Sequence, residues 1–270
     1  DHATSSWATR KVGYGPGILM ARTASDKLCS VLPYGTYQYE HRLTRLTFVA
    51  PDGTEYELRD QQTNGQTLTA NCSGSIGSRG TIFTAADGSA VTFVSDTTIT
   101  DNFDQYPSGY LKFRNGLIYR IDSGSVSWMR DRNGNKISFS YGQYGVTLIT
   151  DSLNRQVSIS YADFSSVFYD QITFTGFGGA QRTITINYSN LSSPGVLISG
   201  AVQTYGQLFP ELANSSTGTN YDPYVVSSVV LPNNQQYQFK YNVYGELSRV
   251  ILPTGGKVEY DFAAGVTSCN

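Results

Sequence analysis

The chain has 270 residues, a net charge of -2 and only 15% charged residues, with 20 Tyr, 27 Gly and 2 His. An average globular protein is about a quarter charged, so this balance excludes a disordered chain, a helical bundle and a broad nucleic-acid footprint. No apolar run is long enough for a membrane-spanning helix, and with His2 and His41 alone, histidine chemistry has few carriers.

In chain order, residues 1–45 read as a lead-in or cap segment. Its Gly13, Gly15 and Gly17 surround Pro16, which removes an N–H donor. No helix start follows, so this is no phosphate cradle. Residues 46–189 read as an array of β-hairpins, and the stretch 190–224 as a loop-rich insertion. That insertion is placed at a sheet edge or as a loop that contacts something. Residues 225–270 return to the hairpin pattern, and the whole is expected to form one continuous domain.

The strands show themselves by alternation of apolar and polar residues. Segments 136–141, 156–161, 182–188 and 236–241 all alternate, with β-branched and aromatic residues on the apolar side. Between strands lie the steps Asp52-Gly53, Asp87-Gly88, Asn115-Gly116 and Asn133-Gly134. Asn154, Asn234 and Gly255 stand at equivalent places. The expectation is tight type I′ turns, which need positive φ at both central residues. No amphipathic helix of ten residues or more is predicted.

The units superpose. Residues 126–141 read VSWMRDRNGNKISFSY, 146–161 VTLITDSLNRQVSISY, 226–241 VSSVVLPNNQQYQFKY and 247–262 LSRVILPTGGKVEYDF. Segments 46–60 and 111–122 follow the same plan. A spacing near 20 residues marks an array in which each unit buries a face against its neighbours. Tyr141, Tyr161, Tyr188, Tyr241 and Tyr260 close the units, as a ladder on the sheet or as a sugar-stacking surface.

On these segments, and on the Tyr260-Asp261 step, the chain resembles the Rhs/YD-repeat family. The resemblance covers about 46–262. It implies β-hairpin repeats wound into an open spiral or solenoid-like sheet, of the kind that forms shells in bacterial toxins and teneurins. It implies a scaffold rather than a catalyst. The family's Asp-Pro-x-Gly self-cleavage motif is not matched, since Val225 stands where the glycine would follow Asp222-Pro223-Tyr224.

Candidate chemistry is sparse. Asp101 and Asp104 could pair for glycoside hydrolysis, but they lie in a polar turn. Asp131, Asn133 and Asn135 have some of the spacing of a calcium loop, but lack the downstream Glu and coincide with a repeat turn. His41 reads as a strand histidine. Of the three cysteines, Cys29 and Cys72 are the candidate disulfide. Three reduced thiols, or a bridge from Cys269 to another chain, stay open. Asn71, Asn190 and Asn214 are candidate glycosylation sites, and Asn187 is a poorer one inside a strand.

The reading is a non-enzymatic, all-β structural protein, extracellular or at the cell surface, needing no cofactor, catalytic residue or metal. Its expected partners are copies of itself or further repeats of a larger chain, forming a filament or shell. A carbohydrate- or surface-binding module contacting glycans is the alternative, and a fragment of a toxin-encapsulating shell is another.

Overall fold

A computed structural model describes residues 15–32, 36–65, 77–101, 106–211 and 218–262. For 23–27, 31–32, 36–42 and 44 it describes the backbone alone. The chain divides into two compact units, Asp1–Gln156 and Val157–Asn270. Both are antiparallel β structures, and the lone α-helix among the described residues is one turn long.

Unit 1 holds β1 (Ile18–Leu32), β2 (Thr36–Val49), β3 (Glu55–Asp60), β4 (Ser78–Ala85) and β5 (Thr92–Thr100). These are followed by β6 (Gly109–Lys112), β7 (Ile118–Asp122), β8 (Ser125–Arg130), β9 (Lys136–Gly142) and β10 (Gly145–Asp151). Each of the first eight strands pairs with the next. β8 then returns to β1 through the antiparallel pair Ile18 and Ser125.

The sheet therefore closes into an eight-stranded barrel instead of the expected open spiral. The seam is short, and glycine makes it possible. The Leu19 amide donates to the Gly124 carbonyl at 2.8 Å. Gly124, beside β8, has φ 78°, and a Cβ there would sit 2.9 Å from the Leu19 carbonyl oxygen. Such a conformation and approach suit glycine alone.

Alternation puts one side of each strand inside. Leu19, Leu46, Phe48, Leu58, Phe83, Phe93, Leu111, Ile121 and Val126 form a single buried core drawn from all eight strands. Small barrels are filled by side chains in this way. At the end that carries the 50–54 and 113–117 turns, Phe48, Tyr56, Phe113 and Tyr119 pack edge-on or tilted, with centroids 5.1–6.4 Å apart. Beyond the seam, the same edge of β8 pairs with β9 over Trp128–Arg130, and β9 pairs with β10.

Unit 2 is a meander of β11 (Gln156–Ser160), β12 (Tyr169–Thr175), β13 (Gln181–Asn190), β14 (Tyr224–Val230), β15 (Gln236–Tyr241), β16 (Leu247–Ile251) and β17 (Lys257–Glu259), each paired to the next. The described part of the 190–224 stretch contacts the sheet: Leu197 makes a parallel bridge with Tyr241 on β15, the Ile198 amide donating to the Tyr241 carbonyl at 2.8 Å and the Tyr241 amide to the Val196 carbonyl at 3.0 Å. Leu191 and Val196 pack with Tyr241, Phe239 and Leu247, and burying these apolar side chains favours the contact. Helix α1 (Tyr205–Leu208) within this stretch is capped by Thr204 and Gln207, each accepting from the other's amide.

The hairpins share one turn. The Ala50 amide donates to the Thr54 carbonyl at 2.9 Å, and the Gly53 amide back to the Ala50 carbonyl at 3.0 Å. The same pair of bonds recurs from Phe113, Asp131, Asp151, Gly176, Leu231, Asn242 and Leu252. The fourth residue is always at positive φ: Gly53, Gly116, Gly134, Asn154, Gly179, Asn234, Gly245 or Gly255.

Asp52, Asn115 and Asn133 are not at positive φ, so these are not the expected type I′ turns. They are three-residue loops, a type I turn closed by a left-handed residue. The Asx side chains work as acceptors instead. Asp52 takes the Thr54 amide, and Asp131 takes those of Asn133 and Asn135. Gly88 has φ 75° too, but in the longer loop between β4 and β5, where Ala90 is also left-handed.

Gly134→Ala tests the turn directly. A Cβ there meets nothing within 4 Å, so its whole effect is conformational, about 1–2 kcal/mol. Thermal melts should show that loss, and Gly134→Asn should keep most of the stability, as Asn154 does in its own turn.

Candidate functional site

Asp101, the carboxylate singled out as a catalytic candidate, is buried beside Arg79, which is 2% exposed. Arg79 is on β4, in a stretch where the β4–β5 register slips on both sides of Gly80. Its Nε donates to Asp101 Oδ1 at 2.8 Å, and its other nitrogens to Asp60 at 3.2 Å, the Thr63 hydroxyl at 2.9 Å and the Leu43 carbonyl at 3.2 Å. Asp101 also accepts the Leu43 amide at 3.0 Å.

Asp60 accepts the Thr63 amide at 2.6 Å, so two carboxylates and one guanidinium complete each other. Burial works to raise the Asp60 carboxyl, but the Thr63 amide and hydroxyl, then Arg79, overcome it and hold the carboxyl below its ordinary value. The arrangement is a buried clamp on β2, β3, β4 and the residue after β5. Asp104, the other half of the candidate pair, lies outside the described residues.

The remaining candidates disperse. Asp131 is occupied by the Asn133 and Asn135 amides and by Asn135 Nδ2, so its oxygens close a turn. Cys29 is in a disulfide. Cys72, the expected partner, and Cys269 lie outside the described residues, as do Asn71, Asn214, His2 and the His41 side chain. The Asn190 side chain donates to the Asp222 carbonyl at 3.3 Å, and Asn187 to Ser228 at 2.9 Å. Among the described residues no group of acidic, His or Cys side chains could hold a metal, and no helix is long and apolar enough to cross a membrane.

The repeat-closing tyrosines have a use beyond stacking. The Tyr141 hydroxyl donates to the Val126 carbonyl at 2.6 Å, and the Tyr241 hydroxyl to the Val226 carbonyl at 2.7 Å. In these two repeats the last residue thus ties down the first. Tyr188 donates to the buried Asp170 at 2.9 Å instead. Tyr161 is half-buried.

Tyr260 differs. Repeat 247–262 places Val258, Tyr260 and Phe262 where 226–241 has Tyr237, Phe239 and Tyr241. In 126–141 the same places hold Ile137, Phe139 and Tyr141, and in 146–161 Val157, Ile159 and Tyr161. All nine earlier side chains are buried or half-buried. Val258, Tyr260 and Phe262 are 42%, 46% and 56% exposed. They continue the apolar face of unit 2, since Val258 pairs with Val250, which pairs with Phe239. Among the described residues, β17 pairs with β16 alone. An unpaired edge that carries an uncovered apolar stripe is the candidate functional site.

A second aromatic group lies elsewhere in unit 2. The Tyr224 ring is 5.0 Å from that of Phe164 and 5.5 Å from that of Phe168, tilted by under 40° to each. Sequence reasoning missed Arg79 and this group. Arg79 stands between Ser78 and Gly80 in an irregular stretch, and only its place between Asp60 at the end of β3 and Asp101 just after β5 could have marked it. No family model matches the chain, and no curated protein matches it.

Arg79→Leu strands two buried carboxylates and should cost about 3–5 kcal/mol, read from urea denaturation. Because the Asp60 carboxyl lies below its usual value when folded, its contribution is present above about pH 4 and is lost as pH falls through the folded value. Wild-type stability should therefore drop in acid. In Asp60→Asn that part of the slope should be missing.

Proposed function

We propose that the chain is a non-catalytic structural module, an all-β array of hairpin repeats that joins its sheet to a further strand at β17. The observation that carries the reading is the exposure of Val258, Tyr260 and Phe262 at positions that every earlier repeat covers. Val258 on β17, with Tyr260 and Phe262 just beyond it, has much to gain from a neighbour, about 25 cal/mol per Å² covered. Main-chain bonds along the edge supply the affinity and alternation supplies the register. The repeat plan and its resemblance to Rhs/YD repeats support a scaffold in a filament or shell. The disulfide at Cys29 supports an oxidising, extracellular setting.

A second reading is favoured by the exposed Tyr224 and Phe168 rings, backed by the half-buried Phe164: a surface that stacks on glycans. Loss of glycan-array signal in Tyr224→Ala would support it, and an array blank for the wild type would remove it.

The joining edge is tested by light scattering and hydrogen exchange on the full chain. Association should rise with concentration and protect the amides of Lys257 and Glu259. Tyr260→Lys should abolish both effects with no change in melting temperature, because the side chain is nearly half exposed. Association that ignores Tyr260→Lys would mean the joining surface is elsewhere.

A further inference from the structure

We infer that the strand taken up by β17 is β17 of a second copy, in a two-fold antiparallel pairing centred on Val258. The inference rests on the reading of β17 as a joining edge, and it follows from the bonding phase of the strand and the order of its charges.

The phase is set on the inner side. The Tyr260 amide donates to the Ser248 carbonyl at 2.9 Å, and the Gly256 carbonyl accepts the Leu252 amide at 2.8 Å. Residues 256, 258 and 260 therefore turn their main-chain groups toward β16. By alternation Lys257, Glu259 and Asp261 turn theirs outward. An incoming antiparallel strand bonds at these odd-numbered residues. Val258 then faces its opposite number in a non-hydrogen-bonded pair, where side chains approach most closely.

The charges choose the register. On β17 Val258 lies on one face and Lys257 and Glu259 on the other, and if the alternation of the sequence continues past the strand, Tyr260 and Phe262 follow Val258 and Asp261 follows Glu259. A two-fold axis keeps like faces together only if it passes through a residue. Through Tyr260, it opposes Glu259 to Asp261. Through Glu259, it sets two Lys257–Asp261 pairs beside a carboxylate opposed to its own copy, and through Lys257 it opposes two lysines. Through Val258, it sets Lys257 against Glu259 of the second copy, and Glu259 against Lys257, so each opposite-charge pair occurs twice.

Glu259 holds Arg249 at 2.6 Å through Oε1, which leaves Oε2 for the lysine. In the same register Tyr260 falls beside Gly256 of the second copy. There it meets no competing side chain and covers bare backbone. The edge is short, so the dimer is weak and concentration-dependent.

The test uses the full chain with its native disulfide. Val258→Cys is made at an exposed site. Under mild oxidation it should give a symmetric cross-link joining position 258 to position 258, mapped by mass spectrometry. Opposed Cα atoms in such a pair lie about 4.5 Å apart, within disulfide reach. By sedimentation equilibrium, Lys257→Glu should weaken the dimer about tenfold, since two attractive pairs become repulsive. Lys257→Glu combined with Glu259→Lys should restore it.

A cross-link with charge-swap rescue establishes the pairing. Association that Tyr260→Lys abolishes, with neither cross-link nor rescue, overturns the two-fold pairing but keeps β17 as a joining edge. A wild type that stays monomeric at every concentration overturns the two-fold pairing. Association indifferent to all edge variants overturns both.

Discussion

One guanidinium holds the barrel end together. Arg79 bonds to β2 at Leu43, to Asp60 at the end of β3, to Thr63 beyond it and to Asp101 just after β5. Ladder hydrogen bonds fix neighbouring strands to one another, but these contacts join strands that are not all neighbours. The cost of burying three charges is met because the guanidinium donates to four acceptors, two of them carboxylates. Leu43 lies on β2 before Leu46, where the pairing of β2 with β3 begins, and at Leu43 β2 is still paired with β1. The clamp thus also anchors the long β1–β2 ribbon, in which Cys29 is disulfide-bonded.

The two units use the same hairpin for different ends. In unit 1 the hairpins curl until the first strand meets the eighth, and the apolar side becomes an enclosed core. In unit 2 the apolar side is covered by the 190–224 stretch around Tyr241, and this cover does not reach Val258. Curvature is set by what flanks the hairpins. Gly124 permits the close approach to Leu19 at the seam in one unit. In the other, Leu191 and Val196 supply a lid for a sheet that stays open.

The hairpins themselves were plain in the sequence. Alternation located strands such as 136–141 and 236–241, and the Asx-Gly steps located the turns, because both signals are local. The turn type was not legible. Asp52-Gly53 fits a two-residue and a three-residue loop equally, and only the partner of the Ala50 amide separates them. Closure was not legible either, since Ile18 and Ser125 are distant in the chain and paired by shape. Of the candidate site, Tyr260 was singled out as a repeat-closing residue. Its exposure depends on what lies beside it, which no spacing within the repeat encodes. Arg79 escaped because a lone arginine among Ser and Gly reads as a surface loop.

The outer edge of β8 is divided, Ser125 serving β1 and Trp128–Arg130 serving β9. This gives the molecule a direction of growth. A hairpin duplicated among the first eight strands would change the strand number of a closed ring, and with it the diameter that Phe48, Phe83 and Phe93 fill. A hairpin added just after residue 130 would join strands that lie outside that ring and leave its strand number unchanged. Closure therefore fixes the strand count on one side of β8 and places no such demand on the other.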